Sequence, residues 1–173
     1  MRTTTAILAL VLLLLCGCGG RSAPTPPKPT PEVQHLRERA KEIRKREELD
    51  LERVKVRQLL VSYTNSSANV RNVKRTLREA EVRAAEFLKR VEDGEDFLQL
   101  VREESDDGME DGQCILTREV PENTEPGVSQ FYRKNMVPGF WNTAWRLEVG
   151  EIAPVEYHAD DCPYGYHLIM RLE

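Results

Sequence analysis

His167 stands where a side chain could do chemistry. It closes a Tyr164-Gly-Tyr-His167 turn that runs straight into the apolar Leu168-Ile-Met170. An imidazole donates a hydrogen bond from one ring nitrogen and accepts at the other, so it can hold together a paired polar network. An acidic, glycine-containing loop, Ser105 to Gly112, supplies carboxylates. Four side chains, Cys114, His158, Cys162 and His167, offer metal-binding atoms. Their spacing matches no common zinc pattern, so neither a metal nor any other cofactor is expected.

These groups need elements to position them. Val54-Lys-Val-Arg-Gln-Leu-Leu-Val-Ser-Tyr63 alternates and then runs apolar, as a central strand does. Thr64 to Lys74 is polar and reads as a loop. Thr76-Leu-Arg-Glu79 is a capping box that opens a helix with Leu77, Ala80, Ala84, Phe87, Leu88 and Val91 on one face. Gly94 ends it. Asp96 caps a second, shorter helix carrying Phe97, Leu100 and Val101. Cys114 to Thr117 reads as a short strand and Pro121 to Lys134 as an irregular insertion. A short helix over Pro138 to Leu147 and two strands, Ile152 to Tyr157 and Gly165 to Leu172, follow. Strands and helices ordered β, α, α, β, α, β, β predict an α+β domain with an antiparallel sheet.

The N-terminal third differs in kind. Ala6 to Leu15 is an unbroken apolar run, too short to cross a bilayer and long enough for a signal-peptide core. It leads into Leu15-Cys16-Gly17-Cys18, which resembles a bacterial lipobox with Cys18 as the acylated residue. Gly19 stands where an inner-membrane retention signal places Asp. In a bacterium with two membranes, that implies the outer one. Residues 1–17 are then the signal and 18–31 a tether with Pro at 24, 26, 27, 29 and 31, a composition that stays extended. Residues 32–53 are dense in Glu, Lys, Arg and Leu, without Gly or Pro, and predict a charged helix. Its Val33, Leu36, Ala40 and Ile43 form one stripe, so the helix packs one face on the domain or extends the stalk, and a chaperone arm or dimerisation helix is the alternative. The 29 acidic residues against 25 basic ones leave no positive field for nucleic acid.

Across residues 54–173 several of these segments, in order, resemble the parvulin family of peptidyl-prolyl cis/trans isomerases. They are Val56-Arg-Gln-Leu-Leu-Val61, Gly94-Glu-Asp-Phe97, the Ser105-Asp-Asp107 loop, Met136-Val-Pro-Gly-Phe140, Leu147 to Ile152 and Tyr164-Gly-Tyr-His167. The resemblance implies a four-stranded antiparallel sheet with flanking helices. It also implies a site that binds proline in an apolar pocket over a polar floor. Met136 and Phe140 match the pocket, and Asp107 and His167 match the floor. Gln58 stands where the family has its first His. Cys162 stands where it has Ser or Thr, and Cys114 where an apolar pocket residue belongs. Gln58 can donate and accept but cannot titrate, so the floor network is altered.

With Cys16 lost with the signal and Cys18 acylated, Cys114 and Cys162 remain as an even pair in an oxidising compartment. Both map near the implied cleft, and a disulfide between them is the economical reading. The resemblance thus implies a membrane-anchored isomerase acting on unfolded or proline-containing segments of envelope or secreted proteins, held to lipid through Cys18. The alternative is a parvulin-fold module that binds such segments with little catalysis, to which Gln58 and Cys162 point.

Overall fold

The computed structural model describes residues 28–68, 70, 72–120 and 126–173. The apolar run, Cys18 and all but the end of the Pro-rich stretch lie outside the described residues. The first helix, α1, spans Pro31–Lys45. Thr30 caps it by accepting from the Val33 N–H, and Pro31 fills the first turn, where no amide proton is needed. Val33, Leu36, Ala40 and Ile43 are all buried, so the stripe packs on the domain.

The helix ends eight residues short of the expected Arg53. Nothing in the sequence from Arg46 to Glu52 breaks a helix; tertiary hydrogen bonds claim its backbone. The Leu49 N–H donates to the Trp145 carbonyl (2.9 Å), and the Leu51 carbonyl accepts from Trp145 Nε1 (2.9 Å) and Arg118 Nε (2.6 Å). Propensity yields to packing here.

The remaining elements are β1 (Arg53–Val61), α2 (Leu77–Glu92), α3 (Phe97–Glu104), β2 (Gln113–Thr117), β3 (Ser129–Tyr132), α4 (Pro138–Ala144), β4 (Ile152–Val155) and β5 (Tyr166–Arg171). The Thr76/Glu79 capping box and the Asp96 cap both form. The strands make a five-stranded sheet in the order β3-β2-β1-β5-β4. All neighbours are antiparallel except β2 and β3, which are parallel. This corrects the four-stranded antiparallel expectation. Four residues of the supposed irregular insertion, Ser129 to Tyr132, form a short edge strand. None of them is buried, so no apolar alternation announces it; backbone pairing to Cys114–Thr117 makes it a strand.

Side chains alternate across the sheet. Leu59, Val61, Tyr166 and Leu168 point to one face and pack under α1, α2 and α3 with Leu36, Ala84, Phe87, Leu88 and Leu100. Val54, Val56, Cys114, Leu116, Ala153, Val155 and Ile169 point to the other and pack with Phe140, Ala144 and Trp145. Gln58, Leu60 and His167 share this second face by register. Beside them, at the N-terminal end of α4, the face carries a cleft.

Candidate active site

Two loops press onto the backbone of β1 and bring the polar groups together. The first is the acidic loop. Ser105 Oγ accepts from the Leu60 N–H (3.0 Å), the Asp106 N–H donates to the Leu60 carbonyl (2.9 Å), and Asp106 Oδ2 accepts from the Ser62 N–H (2.8 Å). Arg75 pairs with the same carboxylate. The loop returns to β1 at Gly112, whose carbonyl accepts from the Gln58 N–H (2.8 Å). Gly112 has φ +58°, and a Cβ there would lie 2.2 Å from the Gln58 carbonyl oxygen, so only glycine allows this approach. The second loop is the Tyr164-Gly165 turn. The Tyr164 carbonyl accepts from Ser62 Oγ (3.0 Å) and Ser66 Oγ (2.7 Å). Gly165 has φ +136°, and its Cβ would meet the Val61 carbonyl oxygen at 2.3 Å. That glycine is why the turn can deliver His167 to the floor of the cleft.

The cleft holds about 350 Å³. Its apolar wall is Leu60, Met109, Met136, Val137 and Phe140; its polar floor is Gln58, Asp107 and His167. Phe140 meets the His167 ring edge-on, with centroids 5.4 Å apart. His167 Nδ1 lies 3.0 Å from Gln58 Oε1, and Gln58 Nε2 donates weakly to Met109 Sδ at 3.7 Å. Asp107 Oδ1 accepts from the Met109 N–H (2.8 Å). Among the described residues, His167 Nε2 and Asp107 Oδ2 are buried without a hydrogen-bond partner. Each awaits something that completes it, because an orphaned buried polar atom is costly.

Burial sets the charge state of the floor. It depresses the His167 pKa to about 4, so the ring is neutral at physiological pH. It raises the Asp107 carboxyl above its ordinary range, an effect the Met109 N–H partly opposes.

Of the seven positions that the resemblance implied, Gln58, Asp107, Met136, Phe140 and His167 line the cleft, whereas Cys114 and Cys162 do not. Cys162 sits behind it, its Sγ 3.6 Å from the Gly165 carbonyl oxygen. Burial pushes both thiols up to about 12, Asp107 adding to the effect at Cys114. Both are free, which corrects the expected disulfide. Cys114 stands opposite Val56, and Val56 opposite Arg171 at the far end of β5, whereas Cys162 precedes the start of that strand. The intervening run of β5 alone is about 16 Å at ~3.3 Å per residue, beyond the ~7 Å Cα separation that a disulfide spans.

Sequence reasoning missed Met109, Asn135 and the Ser67-Ala68 rim. Met109 had a signal, a lone apolar side chain inside an acidic loop. The other three had none. A larger groove of about 740 Å³ lies between α1, α4 and β4. It is lined by charges already paired with one another, Arg37 with Glu81 (2.6 Å) and Arg44 with Glu156 (2.5 Å). The smaller cleft, with its unpartnered floor atoms, is the better candidate.

Comparison with solved structures finds the peptidyl-prolyl isomerase ESS1 from Candida albicans at a TM-score of 0.53. The match covers 81% of this chain and 74% of that one at 22% identity, and it speaks for the fold. No match was found among curated proteins. The family model for the PPIC-type PPIase domain matches residues 39–173, taking in the second half of α1 as well as the sheet and cleft. The chain therefore belongs to the PPIC-type peptidyl-prolyl isomerase family, the parvulins.

Proposed function

We propose that the protein is a lipid-anchored peptidyl-prolyl cis/trans isomerase acting on unfolded or proline-containing segments of envelope or secreted proteins. The observation that carries this reading is the cleft itself, an apolar wall of Met109, Met136 and Phe140 over a desolvated floor in which His167 is neutral. The barrier to rotation about a peptide bond is roughly 18–20 kcal/mol and comes from amide resonance. No covalent step is needed to lower it. The wall holds the prolyl ring while the preceding carbonyl swings. The twisted amide is less conjugated and less polar than the planar one, so a dry site favours it over the ground state. Asp107 Oδ2 and His167 Nε2, both buried without a partner among the described residues, are the atoms that would meet the peptide's polar groups as they turn.

The lipid anchor rests on the Leu15-Cys16-Gly17-Cys18 motif after the apolar run. Cys18→Ser should release the protein from membranes or block its processing, as read by fractionation and intact mass. A wild-type mass without acyl chains would remove the anchor from the proposal.

A second reading, a module that holds proline segments without useful catalysis, draws on Gln58 and on the withdrawal of Cys162 from the cleft. Exchange NMR on a proline tetrapeptide separates the two. Catalysed exchange that falls at least tenfold in Phe140→Ala supports the enzyme, a factor equal to about 1.4 kcal/mol at the transition state. Binding without catalysed exchange supports the module. Absence of both overturns the assignment of the cleft.

A further inference from the structure

The departure at Gln58 has a chemical consequence for His167. Two imidazoles facing each other can share a proton in either direction. An amide oxygen can only accept. Gln58 Oε1 is 3.0 Å from His167 Nδ1, and the other end of the same amide donates to Met109 Sδ. The backbone N–H of Gln58 is pinned by the Gly112 carbonyl, and the His167 ring is held edge-on by Phe140. The Met109 contact decides which way the amide faces, because a thioether sulfur can accept from Gln58 Nε2 but has no proton to donate to Oε1. We infer that Gln58 is a positioning residue whose amide oxygen fixes neutral His167 as the Nδ1–H tautomer, presenting Nε2 to a bound proline peptide as a hydrogen-bond acceptor. Nε2 is buried in the floor of the cleft with no partner among the described residues, as an acceptor awaiting a ligand donor is. The nitrogen of an X-Pro bond carries no hydrogen. The donor that Nε2 receives is therefore a peptide N–H flanking that bond.

The inference rests on the cleft being a proline-peptide site, and its test separates the two claims. In the ¹⁵N-labelled full-length protein, imidazole NMR should show His167 with Nδ1 protonated and Nε2 bare from about pH 6 to 8. Adding the tetrapeptide Ala-Ala-Pro-Phe amide should shift the Nε2 resonance toward the hydrogen-bonded position and leave Nδ1 nearly still. Gln58→Leu should lose the fixed tautomer and lower kcat/KM about tenfold, the worth of one neutral hydrogen bond. Gln58→Glu keeps an acceptor and should keep the Nδ1–H signature, which guards against a leucine variant that fails to fold. An Nε2–H tautomer in the free wild type, or an unchanged signature in Gln58→Leu, overturns the positioning role. Peptide that shifts Met136 and Phe140 but not Nε2 overturns the acceptor role. Peptide that shifts none of them overturns the reading of the cleft, and the free-protein spectrum still decides the tautomer.

Discussion

Acidification should unfold this protein through His167 at a pH where its paired carboxylates are still charged. The ring is fully buried and its pKa falls from an ordinary 6.5 to about 4. Between those values the unfolded chain binds the proton more readily than the folded one. Stability therefore rises with pH through that window, is complete above 6.5, and is lost as pH falls toward 4. A displacement of that size corresponds to about 3 kcal/mol. That is a large share of the ~5–15 kcal/mol that holds a typical domain together.

Asp107 works in the opposite sense. Its raised pKa costs stability as pH rises through the folded value, so it does not mimic the histidine. Carboxylates held below their ordinary range, such as Glu48 beside Arg133, weaken the fold only at still lower pH and do so in any variant. The assay is urea denaturation of wild type and His167→Phe at several pH values between about 7 and 4.5. The phenyl ring fills the same space, and the unpaired Gln58 oxygen it leaves costs about 1–3 kcal/mol at every pH. The wild type should thus lose about 2.4 kcal/mol relative to the variant between pH 7 and 4.5. Parallel loss of stability in the two proteins would refute a buried, neutral imidazole.

Two further outcomes follow from the geometry. Gly165→Ala should cost about 3 kcal/mol or more in the same assay, because strain at a positive φ adds to a Cβ 2.3 Å from the Val61 oxygen. Gly94→Ala, with φ +103° but nothing within 4 Å, should cost only about 1 kcal/mol. Equal costs would show that the close approach to β1 is not made. Cys114 and Cys162 should resist alkylation in the native protein and both react once it is unfolded without reductant. A linked Cys114–Cys162 peptide in a non-reducing digest would return the disulfide.

Much of this architecture is written locally. The capping box at Thr76 and the cap at Asp96 each satisfy helix-end amides with residues three positions away, and both form as read. The stripe Val33, Leu36, Ala40, Ile43 has helical spacing whatever covers it, and it is buried. Gly165 and Gly112 sit where the chain passes close to β1, which the structure alone shows. Met136, Phe140, Asp107 and His167 were legible because their motifs keep the order of a known family.

What the sequence left open depends on partners distant along the chain. Arg46 to Glu52 has helical composition, but Trp145 and Arg118, nearly a hundred and about seventy residues away, take its carbonyls. Ser129 to Tyr132 carries no strand pattern because an edge strand is fixed by backbone bonds to its neighbour, and those leave no mark on side-chain type. The two cysteines look like a pair when counted, and sheet register keeps them apart. The role of Gln58 is the clearest case. Read alone, it is a polar residue in an apolar strand; register against β5 brings its Oε1 within 3.0 Å of His167 Nδ1 and leaves Nε2 as the buried nitrogen without a partner among the described residues. Local rules act over one turn or one pleat, whereas charge state, pairing and the floor of the site are set by which strands lie side by side.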